Sequence, residues 1–108
     1  VTYVQCKYGV IQSIMRFEWD SRKNELNRKK HGISFETAVE VFQDPLHISI
    51  LDARFNYFKE RWITLGASND LLLLVVVHLY FTYQGEEVIR IISAREATAN
   101  ERRQYQQA

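Results

Sequence analysis

The chain has 108 residues, 46% of them hydrophobic and 13% aromatic, which suits one globular domain with a thin core. Fourteen basic residues against 13 acidic leave a formal net charge of +1, so bulk charge carries no nucleic-acid signal and only its distribution can. A single cysteine, Cys6, excludes an internal disulfide and a cysteine-based zinc site, in keeping with a reducing cytoplasm.

In chain order, the stretch Val1 to Ile14 holds no motif and lacks the basic start and apolar core of a secretory signal. The domain is expected to begin at Met15, with 1–14 an extension outside it; a valine codon read as a start is the alternative. Arg16-Phe17-Glu18-Trp19 alternates polar and apolar residues and predicts a short strand. Asp20 or Ser21 then caps a polar helix running through Lys30, with Leu26 as its aliphatic anchor and His31-Gly32 as its end. Ser34 caps a second helix, whose Phe35, Ala38, Val39 and Phe42 recur at helical spacing until Asp44-Pro45 stops it.

The period then changes to two. Leu46, Ile48 and Ile50 predict a strand, Asp52 to Asn56 a turn, and Arg61 to Leu65 and Leu71 to Tyr80 two further strands. Leu71 to Val77 is the longest apolar run, far short of the roughly 18 residues that span a bilayer, and suits a central strand covered on both faces. Gln84-Gly85-Glu86 is a hairpin turn, Glu87 to Ser93 a last strand, and Thr98-Ala99-Asn100-Glu101 a capping box that opens a final helix. This order predicts an α+β domain with its helices on one sheet face, leaving the other face or its rim free to bind.

Two clusters carry the charge. Arg22, Lys23, Arg28, Lys29 and Lys30 crowd one short helix, either a phosphate-holding patch or an ordinary solvated face. Arg90, Arg95, Arg102 and Arg103, with Arg61 on another strand, form the second; an arginine inside an apolar strand, such as Arg90, calls for a carboxylate partner or a functional surface. His31, His47 and His78 have no metal-ligand spacing, which argues against a catalytic metal or other cofactor. His31 stands beside Lys30, whose charge disfavours the protonated ring and suits it to act as a base, though a histidine here can equally cap a helix carbonyl. The residues alone reach an α+β domain with two basic clusters.

The order of short motifs goes further. Phe17-Glu18-Trp19-Asp20 is followed by Lys23 and Asn27, then Lys30-His31-Gly32-Ile33 with Phe35, then Phe42-x-Asp44-Pro45. Glu60-Arg61-Trp62-Ile63 with Gly66 comes next, then Ile91-Ile92-Ser93-Ala94-Arg95-Glu96-Ala97 and Glu101-Arg102-x-x-Tyr105. In this order they resemble the BrnT toxin family from Met15 to about Tyr105. Thr37 departs from the pattern, standing where an acidic residue is expected after Ser34-Phe35-Glu36.

The resemblance implies a RelE-like fold, with an antiparallel sheet of four to five strands, two N-terminal helices and one C-terminal helix. It implies a cytoplasmic ribonuclease of a type II toxin–antitoxin pair that stops translation. A ribbon-helix-helix antitoxin encoded nearby would neutralise it and carry the complex to operator DNA. RNA supplies its own nucleophile, the 2′-OH, so metal-free cleavage needs a base, cations for the phosphorane and a proton for the leaving 5′-oxygen. Arg61, Arg95 and Arg102 suit charge stabilisation, and His31 or Glu101 suits the base. Lys23, Lys30 and Ser93 suit RNA contact, and Tyr105 suits stacking on a nucleobase. A competing expectation is a module that binds RNA or a protein and cuts nothing.

Overall fold

A computed structural model describes the backbone of residues 2–8, 13–56 and 60–107, and the side chains of 15–52 and 60–107. The chain order is β1 (Thr2–Tyr8), β2 (Ser13–Trp19), α1 (Ser21–His31), α2 (Phe35–Glu40), a 3₁₀ turn (Val41–Gln43), β3 (Ile48–Asn56), β4 (Glu60–Ala67), β5 (Leu73–Tyr83), β6 (Glu86–Glu96) and α3 (Ala99–Gln107). This is the expected α+β arrangement, with two helices before the main run of strands and one after it. The strands form one six-stranded sheet in the order β1-β2-β6-β5-β4-β3. Five of its strands, β2 to β6, belong to the region from Ser13 onward. The segment 1–14, expected to stand outside the domain, contributes the backbone of Thr2–Tyr8 antiparallel to β2.

The sheet is mostly antiparallel, with one exception. β3 to β6 run as a meander, while β2 lies parallel to β6, Phe17 opposite Ile89 and Glu18 opposite Arg90. A parallel pair needs a crossover, and here α1, α2 and the meander supply it.

Local chemistry accounts for the ends of the helices. The Asp20 carboxylate accepts from the backbone N–H of Arg22 and Lys23, and Gly32 closes α1 at φ 75°, where a Cβ would be strained. Ser34 caps α2 through the Thr37 N–H. Leu26 does not anchor α1; it is exposed. The buried residue of the helix is Asn27. Its Nδ2 donates to the carbonyls of Ile33 and Ala94, both at 2.8 Å, and its Oδ1 accepts from the Ala94 N–H at 3.2 Å. A polar helix with almost no apolar face thus docks through a buried amide that satisfies backbone groups on two elements.

Two cores lie on opposite faces of the sheet. Phe17, Trp19, Phe35, Val41, Leu74, Val76, Ile89 and Ile91 are among the residues that pack beneath α1 and α2. Leu65, Leu73 and Val75 pack on the other face with Ala97 and Tyr105. The expectation of helices on one face is therefore corrected: α3 covers part of the second. Gly66 is hemmed in because a Cβ there would meet a Val41 methyl at 2.7 Å.

Element boundaries also shift, most tellingly at three places. Residues 52–56, expected to turn, continue β3 across a register shift between Leu51 and Asn56. The central strand starts at Leu73, because Leu71 takes φ 64° in a turn and lies 83% exposed. β6 is longer than expected and contains a bulge: Val77 pairs with Ser93 and His78 with Ile91, so Ile92 has no opposite residue.

Candidate nucleic-acid site

That bulge decides where the candidate residues point. In an unbroken strand, Ser93 and Arg95 would share the face of Ile89 and Ile91, beneath the helices. The extra residue turns them over. Ala94 is buried in the first core, while Ser93 lies opposite Val77 and Arg95 opposite Val75, on the α3 face.

Arg95 then meets the start of α3. Its two terminal nitrogens donate to the two carboxylate oxygens of Glu101 at 2.8 and 2.9 Å, a bidentate fork, and Nη1 also reaches the Glu96 carbonyl at 3.1 Å. The expected capping box forms alongside. The Thr98 N–H donates to Glu101 at 2.8 Å, and Thr98 Oγ1 accepts from the Glu101 N–H at 3.2 Å. The hydrogen bond from Arg95 is the main reason that the Glu101 carboxyl is lowered to about 2. The same bond raises Arg95 above its ordinary value. The Arg95 side chain keeps 41% of its surface open, so the fork is a surface feature with its cation accessible.

The clamp by Asn27 brings the end of α1 to the same rim. Asn27 holds Ala94, the residue before Arg95, and Lys30 and His31 follow it within about one helical turn. Lys23, Lys30 and His31 are exposed, as is Arg102 on α3. Arg95 and Glu101 thus meet on the α3 face, and the basic end of α1 begins within about a turn of the contact with Ala94, the neighbour of Arg95.

Arg61 stands apart. It shares a row on the second face with Leu79, Arg90 and Glu18, four residue pairs along β4 and β5 from the row of Arg95. Strand rise and strand spacing put the Cα atoms of Arg61 and Arg95 roughly 17 Å apart, and each arginine is turned to a different carboxylate, Asp52 and Glu101. Arg61 Nε lies 3.9 Å from the buried Asp52 carboxylate, and Arg90 pairs with Glu18 at 3.1 Å. Tyr105 is half-buried, its ring against Leu65, Leu73 and Val75 and its hydroxyl donating to Asp44 at 2.6 Å. That bond to Asp44 pushes the phenol up to about 12.

Asp44 is a hub that the sequence presented only as a helix stop. Besides Tyr105, it accepts from the N–H groups of Leu46 at 2.9 Å and Ala67 at 2.8 Å. Burial pushes its carboxyl up, but the three hydrogen bonds outweigh this and the net shift is downward. The signal available in the sequence was Asp44-Pro45, a residue pair with an acceptor and no continuing helix. For Asn27 the signal was an amide in the middle of a helix lacking an apolar stripe.

Residues 19–101 match the family described as the ribonuclease toxin, BrnT, of type II toxin–antitoxin systems. The chain belongs to the BrnT family. The matched span runs from Trp19 through α1, the bulge and Arg95 to Glu101; Arg102 and Tyr105 fall beyond it. The crystal structure of the Brucella abortus ribonuclease toxin BrnT, at 1.1 Å, is similar to this chain at a TM-score of 0.46 and 23% identity, over 76% of this chain and 95% of that one. No curated protein matches the chain. Among the described residues no group of histidine, cysteine or carboxylate side chains is arranged to hold a metal ion, and no helix is long and apolar enough to cross a membrane.

Proposed function

We propose that this BrnT-family chain is an endoribonuclease that cuts RNA without a metal and so halts translation in the cytoplasm. The observation that carries the reading is the open Arg95–Glu101 fork, with α1 docked through Asn27 on the adjoining Ala94. A phosphodiester arriving there would meet Arg95 as its principal cation, with Arg102 from α3 and Lys30 from α1 adding charge. The 2′-oxygen attacks the adjacent phosphorus as its proton passes to a base. The P–O5′ bond breaks, the 5′-oxygen takes up a proton, and a 2′,3′-cyclic phosphate remains.

His31 is the better base of the two candidates, because a carboxyl lowered to about 2 has little affinity for a proton at neutral pH. Glu101 then serves to aim Arg95. Lys23 and Ser93 would contact RNA along α1 and the second face, with Arg61 reaching a neighbouring phosphate. Tyr105, half-buried and tied to Asp44 through its hydroxyl, would offer a nucleobase only the exposed part of its ring. The partner in this reading is a ribbon-helix-helix antitoxin encoded nearby, through which operator DNA would be bound. A module that only holds RNA would use the same cations and leave the strand intact.

Induction of the full chain in a host cell should arrest growth, and co-expression of the adjacent gene should restore it. Normal growth at high levels of soluble protein would count against the toxin reading.

A further inference from the structure

A pocket of about 570 Å³ opens on the first face of the sheet, beside the 3₁₀ turn and away from the Arg95 fork. Its volume falls in the range of small-ligand sites. Aromatic and other apolar surfaces dominate its walls, among them Phe42, Trp62 and Tyr80, with Ser49, His47 and His78 supplying polar atoms.

The hydrogen bonds of those polar groups fix what the pocket can offer. His78 is 3% exposed. Its Nδ1 lies 3.3 Å from the Leu79 carbonyl, and a carbonyl only accepts, so Nδ1 carries the hydrogen. Nε2 is then bare and accepts from Thr64 Oγ1 at 2.8 Å. With its one hydrogen committed, Thr64 accepts from Ser49 Oγ at 2.7 Å. Ser49 is left with lone pairs and no free hydrogen. Burial keeps the His78 ring neutral, down to about 4, which holds the relay in this direction.

The other groups repeat the pattern. The Tyr80 hydroxyl donates to Glu87 at 2.6 Å, His47 Nδ1 donates to the Asp44 carbonyl at 2.7 Å, and Trp62 Nε1 donates to Glu60 at 3.1 Å. In its neutral form His47 Nε2 can only accept. Apart from the exposed Gln43 amide, the described side chains lining this pocket present aromatic surface and hydrogen-bond acceptors.

We infer that this pocket receives an amino-bearing nucleobase of the RNA, a planar ring whose N–H donors match the acceptors along the wall. The inference rests on the ribonuclease reading for the source of the base, and not for its chemistry. Uracil is disfavoured because the two carbonyls flanking its one ring N–H would face acceptors, and unmatched lone pairs cost binding. A phosphate is excluded as the buried group, because among the described side chains lining the pocket there is no lysine or arginine.

The test is a titration of the purified full chain with adenosine, uridine and N6,N6-dimethyladenosine, followed by Trp62 fluorescence and amide chemical shifts. Adenosine should bind at least tenfold more tightly than uridine or the dimethylated base. Ser49→Ala, at an exposed position, should weaken adenosine about fivefold, the loss of one hydrogen bond to the base, while the chain stays folded with only a small drop in melting from the lost bond to Thr64. A Trp62→Phe variant should still bind adenosine and lose the fluorescence response, which assigns the signal to the pocket. Equal binding of all three nucleosides, or none, would overturn the proposal even if RNA is cut. The RNA source is tested with an oligonucleotide carrying one adenine, compared with its N6,N6-dimethyl form. A tenfold slower cut of the methylated strand supports it. Adenosine binding without cleavage of any RNA would sink the ribonuclease reading and the RNA source together, leaving the pocket's ligand chemistry in place.

Discussion

Arg95 holds a carboxylate with both of its terminal nitrogens while leaving much of its surface open, which is the arrangement of an aimed cation. Arg95→Ala should abolish toxicity while the protein melts normally, because an exposed pair of this kind is worth only about 0–1 kcal/mol. Arg95→Lys should rescue in part, since lysine keeps the charge but not the planar fork. Wild-type cleavage by a normally melting Arg95→Ala would remove the residue from the site. Asn27 behaves in the opposite way. Asn27→Ala would strip partners from the Ile33 carbonyl and from both backbone groups of Ala94, costing about 2–4 kcal/mol in chemical denaturation. A cost under about 1 kcal/mol would show that the clamp is not what docks α1.

His78 makes a prediction about pH. Its folded-state value near 4 lies below the ordinary 6.5, with burial the main cause. The unfolded chain therefore takes up a proton before the folded one does. Stability from this group is complete above about pH 6.5 and falls as the pH drops toward 4, by on the order of 3 kcal/mol. His78→Gln should flatten that slope in denaturation curves measured from pH 4 to 7. An unchanged slope would place the titration elsewhere.

Among the elements, α3 is held at both ends: by the capping box with the Arg95 fork at its start, and by Tyr105 on Asp44 near its end. Tyr105→Phe should cost about 1–2 kcal/mol, the loss of one hydrogen bond to a carboxylate, yet cut RNA normally if the ring is all that matters to the substrate. Tyr105→Ala should lose stability and activity together; equal activity in all three proteins would exclude a stacking role. The capping box was legible in the sequence because it is local, four residues with a known pair of bonds. So were the caps of α1 and α2 and the meander of strands. The bulge at Ile92 was not, since every residue from Val88 to Ile92 but Arg90 is apolar and no period shows where a face is exchanged. The 3.9 Å pair of Arg61 with Asp52, and the distance of both from Arg95, likewise depend on strand register, which a single sequence does not state. The extension of β3 through Asn56 escaped notice because Asp52-Ala53-Arg54 has turn-like polarity without glycine or proline.

At the scale of the molecule, the sheet separates two surfaces: the rim with the Arg95 fork on the α3 side, and the acceptor-lined pocket on the α1–α2 side. A partner that neutralises the toxin has to mask the rim, since cations left open would still draw RNA. Arg95 and Lys30 should therefore be protected from chemical modification in the antitoxin complex, and unchanged reactivity at both would point to inhibition at a distance. The most direct measurement is cleavage of a defined RNA by the purified chain in EDTA, with the ends analysed. The expected result is cutting that persists in the chelator, leaves 2′,3′-cyclic phosphates and disappears in Arg95→Ala. Cutting that stops in EDTA and returns with Mg²⁺, or that leaves other ends, would contradict metal-free attack by the 2′-OH.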